Sequence, residues 1–160
     1  MRVIQFAFPL AVILTGLMAG IHFANIIGYL PALAQVDAEH IVPFWKKADE
    51  YFSKRMPIFG ITLLICLLLT IFLIRKETNS AFFWLVLSGF VLIIADLVIT
   101  VKINTPANEI LRAWQGGSIP ENFESIRAQM LAAFYGRAAA SILSFLLIVL
   151  AYISWQRKIY

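Results

Sequence analysis

Four stretches of this chain stay apolar long enough to cross the hydrocarbon of a bilayer: residues 3–30, 57–74, 81–101 and roughly 130–151. A spanning helix needs about 20 mostly apolar residues. The runs are continuous, where the strands of a membrane barrel would alternate, so helices are the way this backbone satisfies itself in lipid. The pattern predicts an all-α fold, a single four-transmembrane-helix bundle over residues 1–160. Arg2 ahead of the first run imitates a secretory signal, but the run is too long for a signal core and no small-x-small cleavage site follows it. It is expected to remain as the first helix, with Gly16 and Gly20 as a close-packing pair.

Polar positions inside the runs are few, and their spacing sorts them onto faces. Thr15, Met18, His22, Asn25 and Tyr29 follow one another at intervals of three or four, on one face of a regular helix. Gly89, Asp96 and Thr100 share a face in the third run, and Arg137, Ser141 and Ser144 share one in the fourth. Polar groups inside a membrane are costly and mark function by default. On an up-and-down topology His22, Asn25, Asp96 and Arg137 fall in the same half of the bundle. A polar chamber is expected there, opening away from the cytoplasm and roofed by the two long loops, with a dry seam in the other half. Two readings of Asp96 and Arg137 stay open at this point: an ion pair clasping the third helix to the fourth, or the charged groups of a site.

The loops carry their own signals, and a short interfacial helix is predicted in each long one. In "NTPANEILRAW", Thr105 suits an N-cap and Pro106 a first helical residue, so a short helix is expected, with Ile110, Leu111 and Trp114 on one face and Gly116-Gly117 as its stop. Asn104 and Asn108 then flank an unwound link, where their amides can satisfy freed backbone groups or face a ligand. Ser118 to Glu121 has the form of a capping box for the last helix. In residues 31–56, Phe44, Ala48, Tyr51 and Phe52 at helical spacing suggest a lid lying on the membrane interface.

Composition enters mainly by exclusion. The chain is 61% hydrophobic and 14% charged, with mean hydropathy +0.85, outside the soluble average. Its formal charge of +4 follows topology: Arg2, Arg75, Lys76, Arg157 and Lys158 gather at one end with Glu77 as the lone acid, which points to both termini in the cytoplasm. Membrane lipid is therefore an expected partner, and nucleic acid is not, for want of a basic stripe interleaved with aromatics. Cys66 is the single cysteine, which excludes disulfide exchange within one chain and covalent haem attachment. His22 and His40 lack ligand spacing, so a metal site built on them with a carboxylate is the weakest option, and no cofactor is expected.

Three elements together resemble the anthrone-oxygenase-like family of small four-helix membrane proteins: "GLMAGIHFANIIGYLPAL" in the first helix, "NTPAN" after the third, and Arg127 followed ten residues later by Arg137. In that family the fourth helix tends to carry tryptophan, then asparagine or histidine four residues on, then arginine three further; this chain has Met130, Phe134 and Arg137 there. Named members oxidise anthrones to anthraquinones. The resemblance implies a membrane oxidoreductase acting on a lipophilic aromatic or quinone-like molecule in an outer-leaflet pocket. The resemblance itself covers Asn104, Pro106, Asn108, Arg127 and Arg137; joined to the polar faces, it makes His22, Asp96 and Arg137 the expected catalytic residues and Asn25, Tyr29, Asn104, Asn108, Trp114 and Arg127 the expected substrate contacts. A binding or transport-accessory protein with the same pocket and no chemistry is the alternative. The expected location is a bacterial inner membrane, and a homo-oligomer is compatible with either reading.

Overall fold

The computed structural model describes residues 3–114 and 122–159. Among these, regular structure is helical throughout, in four long helices: α1 (Ile4–Leu33), α2 (Ala38–Ile74), α3 (Ala81–Ala113) and α4 (Phe123–Ile159). All four are long and apolar enough to cross a membrane, as expected of an integral membrane protein. Arg2, Gly116-Gly117 and the capping box at Ser118 to Glu121 lie outside the described residues.

The helices alternate in direction. Phe8 of α1 meets Tyr152 edge-on, ring centroids 5.4 Å apart, and Gly16 faces Phe145, so α1 runs antiparallel to α4. On α3, Gly89 faces Ile148 and Ile99 faces Gly136, which sets α3 antiparallel to α4 as well. The α3–α4 seam is the most extensive in the bundle. It depends on Gly89, where an added Cβ would come within 2.9 Å of Ile148 and where Ser144 donates to the glycine carbonyl at 2.8 Å. Of the expected glycine pair in α1, Gly16 makes a close approach, where an added Cβ would lie 3.0 Å from the Phe145 ring, while a Cβ at Gly20 would meet nothing within 4 Å.

Two apolar cores stack along the bundle axis. One lies toward the chain termini and includes Phe8, Leu67, Phe82, Ile148 and Trp155. Its buried hydroxyls return to backbone carbonyls, Thr15 to Ala11 and Thr70 to Cys66, both at 2.8 Å, as a seam without water demands. The other lies at the opposite end and joins Leu33, Ile41, Trp45, Leu111, Phe123 and Met130.

Both predicted interfacial helices turn out to be extensions of spanning helices. Phe44, Tyr51 and Phe52 belong to α2 and are exposed, while Ile41, Val42 and Trp45 form the buried face. The amphipathic stripe assigned to a lid therefore points outward; the inward stripe is anchored on Leu33, Leu111 and Met130, and that packing holds the segment in line with the span. At "NTPAN" no unwound link exists either. The helix passes through a π turn, Thr100–Asn104, and continues as α-helix from Thr105 until Trp114 turns extended at ψ 120°.

A matching π turn, Asn25–Tyr29, interrupts α1. Each turn runs directly into an Xaa-Pro pair, Leu30-Pro31 in α1 and Thr105-Pro106 in α3. Proline offers no N–H and its ring crowds the carbonyl four residues back; Pro9, Pro43 and Pro57 are carried within α-helix, but ahead of Pro31 and Pro106 the helix widens. The wider turn accommodates that residue: Leu30 N–H bonds Asn25 O and Thr105 N–H bonds Thr100 O, five residues back in each case.

Candidate functional site

Each π turn adds one residue to its helix and so shifts the face beyond it by about 100°. In α1 the buried line runs Thr15, Met18, His22 and then resumes at Leu30 and Leu33. Asn25 and Tyr29, expected on that face, lie within the turn and are half-buried; Tyr29 instead packs on the Phe44 ring at 5.8 Å. In α3 the same shift carries Asn104, eight residues past Asp96 and off its face in a regular helix, back above it.

The result is a polar layer between the two apolar cores. His22 is 2% exposed and Asp96 3%. Arg137 donates through Nε to Asp96 Oδ1 at 2.6 Å, and its Nη1 lies 3.4 Å from Asn104 Oδ1. His22 Nε2 approaches the other carboxylate oxygen at 3.6 Å, an ion-pair distance for a protonated ring and too long for a hydrogen bond. The carboxylate thus binds α3 to α4 directly and reaches α1 across the bundle. Thr100 caps the layer from its own helix, its hydroxyl donating to Asp96 O at 2.9 Å.

Three nitrogen atoms in this layer are buried without a hydrogen-bond partner among the described residues: both ring nitrogens of His22, and Nδ2 of Asn104. Buried polar groups are nearly always paired, and an orphan costs about 1–3 kcal/mol. Here an acceptor-donor ring and an amide donor are left over around an arginine-neutralised carboxylate. That set can hold a polar head bearing a carbonyl or hydroxyl, and it can move a proton onto or off the imidazole.

The remaining expected site residues go elsewhere. Asn108 donates to Asp49 Oδ1 at 2.8 Å, and Arg112 bonds the second oxygen of the same carboxylate. Asp49 is a buried acid of α2 that the reading of residues 31–56 as a surface lid passed over; its signal is the spacing Ile41, Trp45, Asp49, one turn apart, on the inward stripe. Trp114 offers its carbonyl to Lys46 Nζ at 2.5 Å. Arg127 donates to Val36 O at 3.0 Å and pairs with Glu124 at 2.7 Å, closing the α1–α2 connection at the head of α4. An open cavity of about 590 Å³ lies beside this second cluster, lined by Lys46, Lys47, Glu50, Lys54, Arg112 and Trp114; His22, Asp96 and Arg137 do not line it.

No group of three metal-ligating side chains occurs among the described residues. No family model, no curated protein and no solved structure matches the chain.

Proposed function

We propose that the layer formed by His22, Asp96, Arg137 and Asn104 is the reaction centre of a membrane oxidoreductase for lipophilic aromatic molecules of the anthrone kind. The observation that carries this is the orphaned His22 imidazole beside an arginine-paired carboxylate, in a layer flanked by apolar cores. Arg137 and the free Asn104 amide hold the substrate's carbonyl oxygen. His22 takes the proton from the ring carbon opposite, the electron pair spreads onto that oxygen as enolate, and Asp96 stabilises the imidazolium. Dioxygen accepts electrons from the enolate and adds at the carbon. The proton returns to the peroxide, and loss of one water leaves a second carbonyl, so one dioxygen is consumed for each water released. Family resemblance in short motifs supplies the substrate class. Basic residues at one end, Arg75, Lys76 and Arg157, support cytoplasmic termini for this centre.

The test is oxygen uptake with an anthrone by the purified protein in detergent. His22→Ala is expected to lower turnover by about 10²–10⁴-fold with little change in melting temperature. Parent protein that binds the anthrone without consuming oxygen would refute the enzyme reading. It would leave the binding or transport-accessory alternative, which the position of the 590 Å³ cavity away from His22 favours.

A further inference from the structure

We propose that the open cavity between the distal ends of α2 and α3 binds the phosphate of an anionic phospholipid. Nothing in the proposed chemistry at His22 uses this region. Along α2, Lys47, Glu50 and Lys54 recur at intervals of about one helical turn, with Lys46 beside Lys47, and line the cavity opposite Arg112 of α3. Four cations thus face two carboxylates, Asp49 and Glu50. Asp49 is already engaged by Arg112 and Asn108, and Glu50 by Lys47 at 2.8 Å. Lys46 is held in place by the Trp114 carbonyl. What the cavity offers a visitor is therefore a net positive, partly pre-positioned donor set, which suits a phosphoryl anion.

The continuation of the stripe argues for a lipid over a free anion. From Lys54 the same helical line runs through Ile58, Ile61, Ile65, Leu68 and Phe72, all exposed on the outer face of α2. A headgroup in the cavity places its acyl chains along this line. The exposed aromatic rings of Phe44, Tyr51 and Phe52 stand at the same level, where interfacial aromatics gather.

The experiment is competition between phosphatidylglycerol and phosphatidylcholine for the purified full-length chain, read by native mass spectrometry of the retained lipid. The parent protein is expected to keep phosphatidylglycerol with about tenfold preference. The double variant Lys47→Gln/Lys54→Gln should lose the preference entirely, since each cation is worth roughly fivefold. Lys47→Arg/Lys54→Arg should retain it. Lys76→Gln, at the other end of α2, should leave it unchanged. Both substituted lysines are exposed, and an unaltered melting temperature will show the fold intact. Equal retention of the two lipids by the parent, or undiminished preference in the double glutamine variant, overturns the proposal. Displacement of phosphatidylglycerol by an equal concentration of glycerol 3-phosphate overturns the lipid assignment and makes the free phosphoryl anion the ligand.

Discussion

Asp96 and Asp49 are built alike and serve different surroundings. Each is a buried carboxylate held by an arginine from a neighbouring helix, with an asparagine of α3 close by. Their arginines differ: the Arg137 side chain is 13% exposed and that of Arg112 47%. Water can therefore solvate the cation of the outer pair but barely reaches that of the inner one. A buried charge that loses its partner has no substitute, whereas one at a rim has solvent. Depth, more than the identity of the pair, decides how much structure hangs on it.

The comparison can be broken most severely at the inner pair. Asp96→Asn leaves Arg137 buried without a counter-charge and is expected to cost about 3–5 kcal/mol in thermal or denaturant unfolding in detergent. Exchanging both residues, Asp96→Arg with Arg137→Asp, should recover part of the loss. A double exchange no better than the single variant would show that the two do not pair directly. At the outer pair, Asp49→Asn should cost about 1–2 kcal/mol by the same measurement, because Arg112 can turn to water. A loss as large as that of Asp96→Asn would make depth irrelevant.

A finer test addresses how Asn104 comes to stand over Asp96. If the π turn holds one residue more than a regular helix needs, then deleting Ile103 together with Pro106→Ala lets α3 close as continuous α-helix with its two ends in unchanged phase. That variant should stay within about 1 kcal/mol of the parent, whereas deleting Val98, inside the regular stretch, should unfold the distal half. Equal damage from both deletions would refute the account of the turn.

Much of this was legible in the amino-acid order. Span assignment sums over some twenty residues, so single exceptions such as His22 or Asp96 do not disturb it. The convergence of those two with Arg137 was also readable, since the cost of polar groups in lipid drives them to one another. Asn25 and Tyr29 were misplaced on the inner face of α1 because a regular period of 3.6 was carried through Asn25–Tyr29, where the turn is wider. Asn104 reaches the layer for the same reason. The hint was present in both helices: a proline two residues past the turn, in a segment whose helical pattern does not stop. Asp49 was missed because three exposed aromatics, Phe44, Tyr51 and Phe52, outshone the inward stripe, and near a membrane an exposed ring is as ordinary as a buried one.

The polar layer takes His22 from α1, Asp96 and Asn104 from α3 and Arg137 from α4, and none of these four side chains from α2. Counting from the contact of Asp49 with Asn108, Pro57 of α2 stands about level with Thr100. Proline there already leaves the Ser53 carbonyl without its helical donor. Mechanically, α2 is a wall that can flex at this proline. Parting α3 from α4 would sever the Asp96–Arg137 pair and the Ser144–Gly89 bond, while flexing α2 at Pro57 breaks neither, so the proposed chemistry at His22 would call for entry through α2.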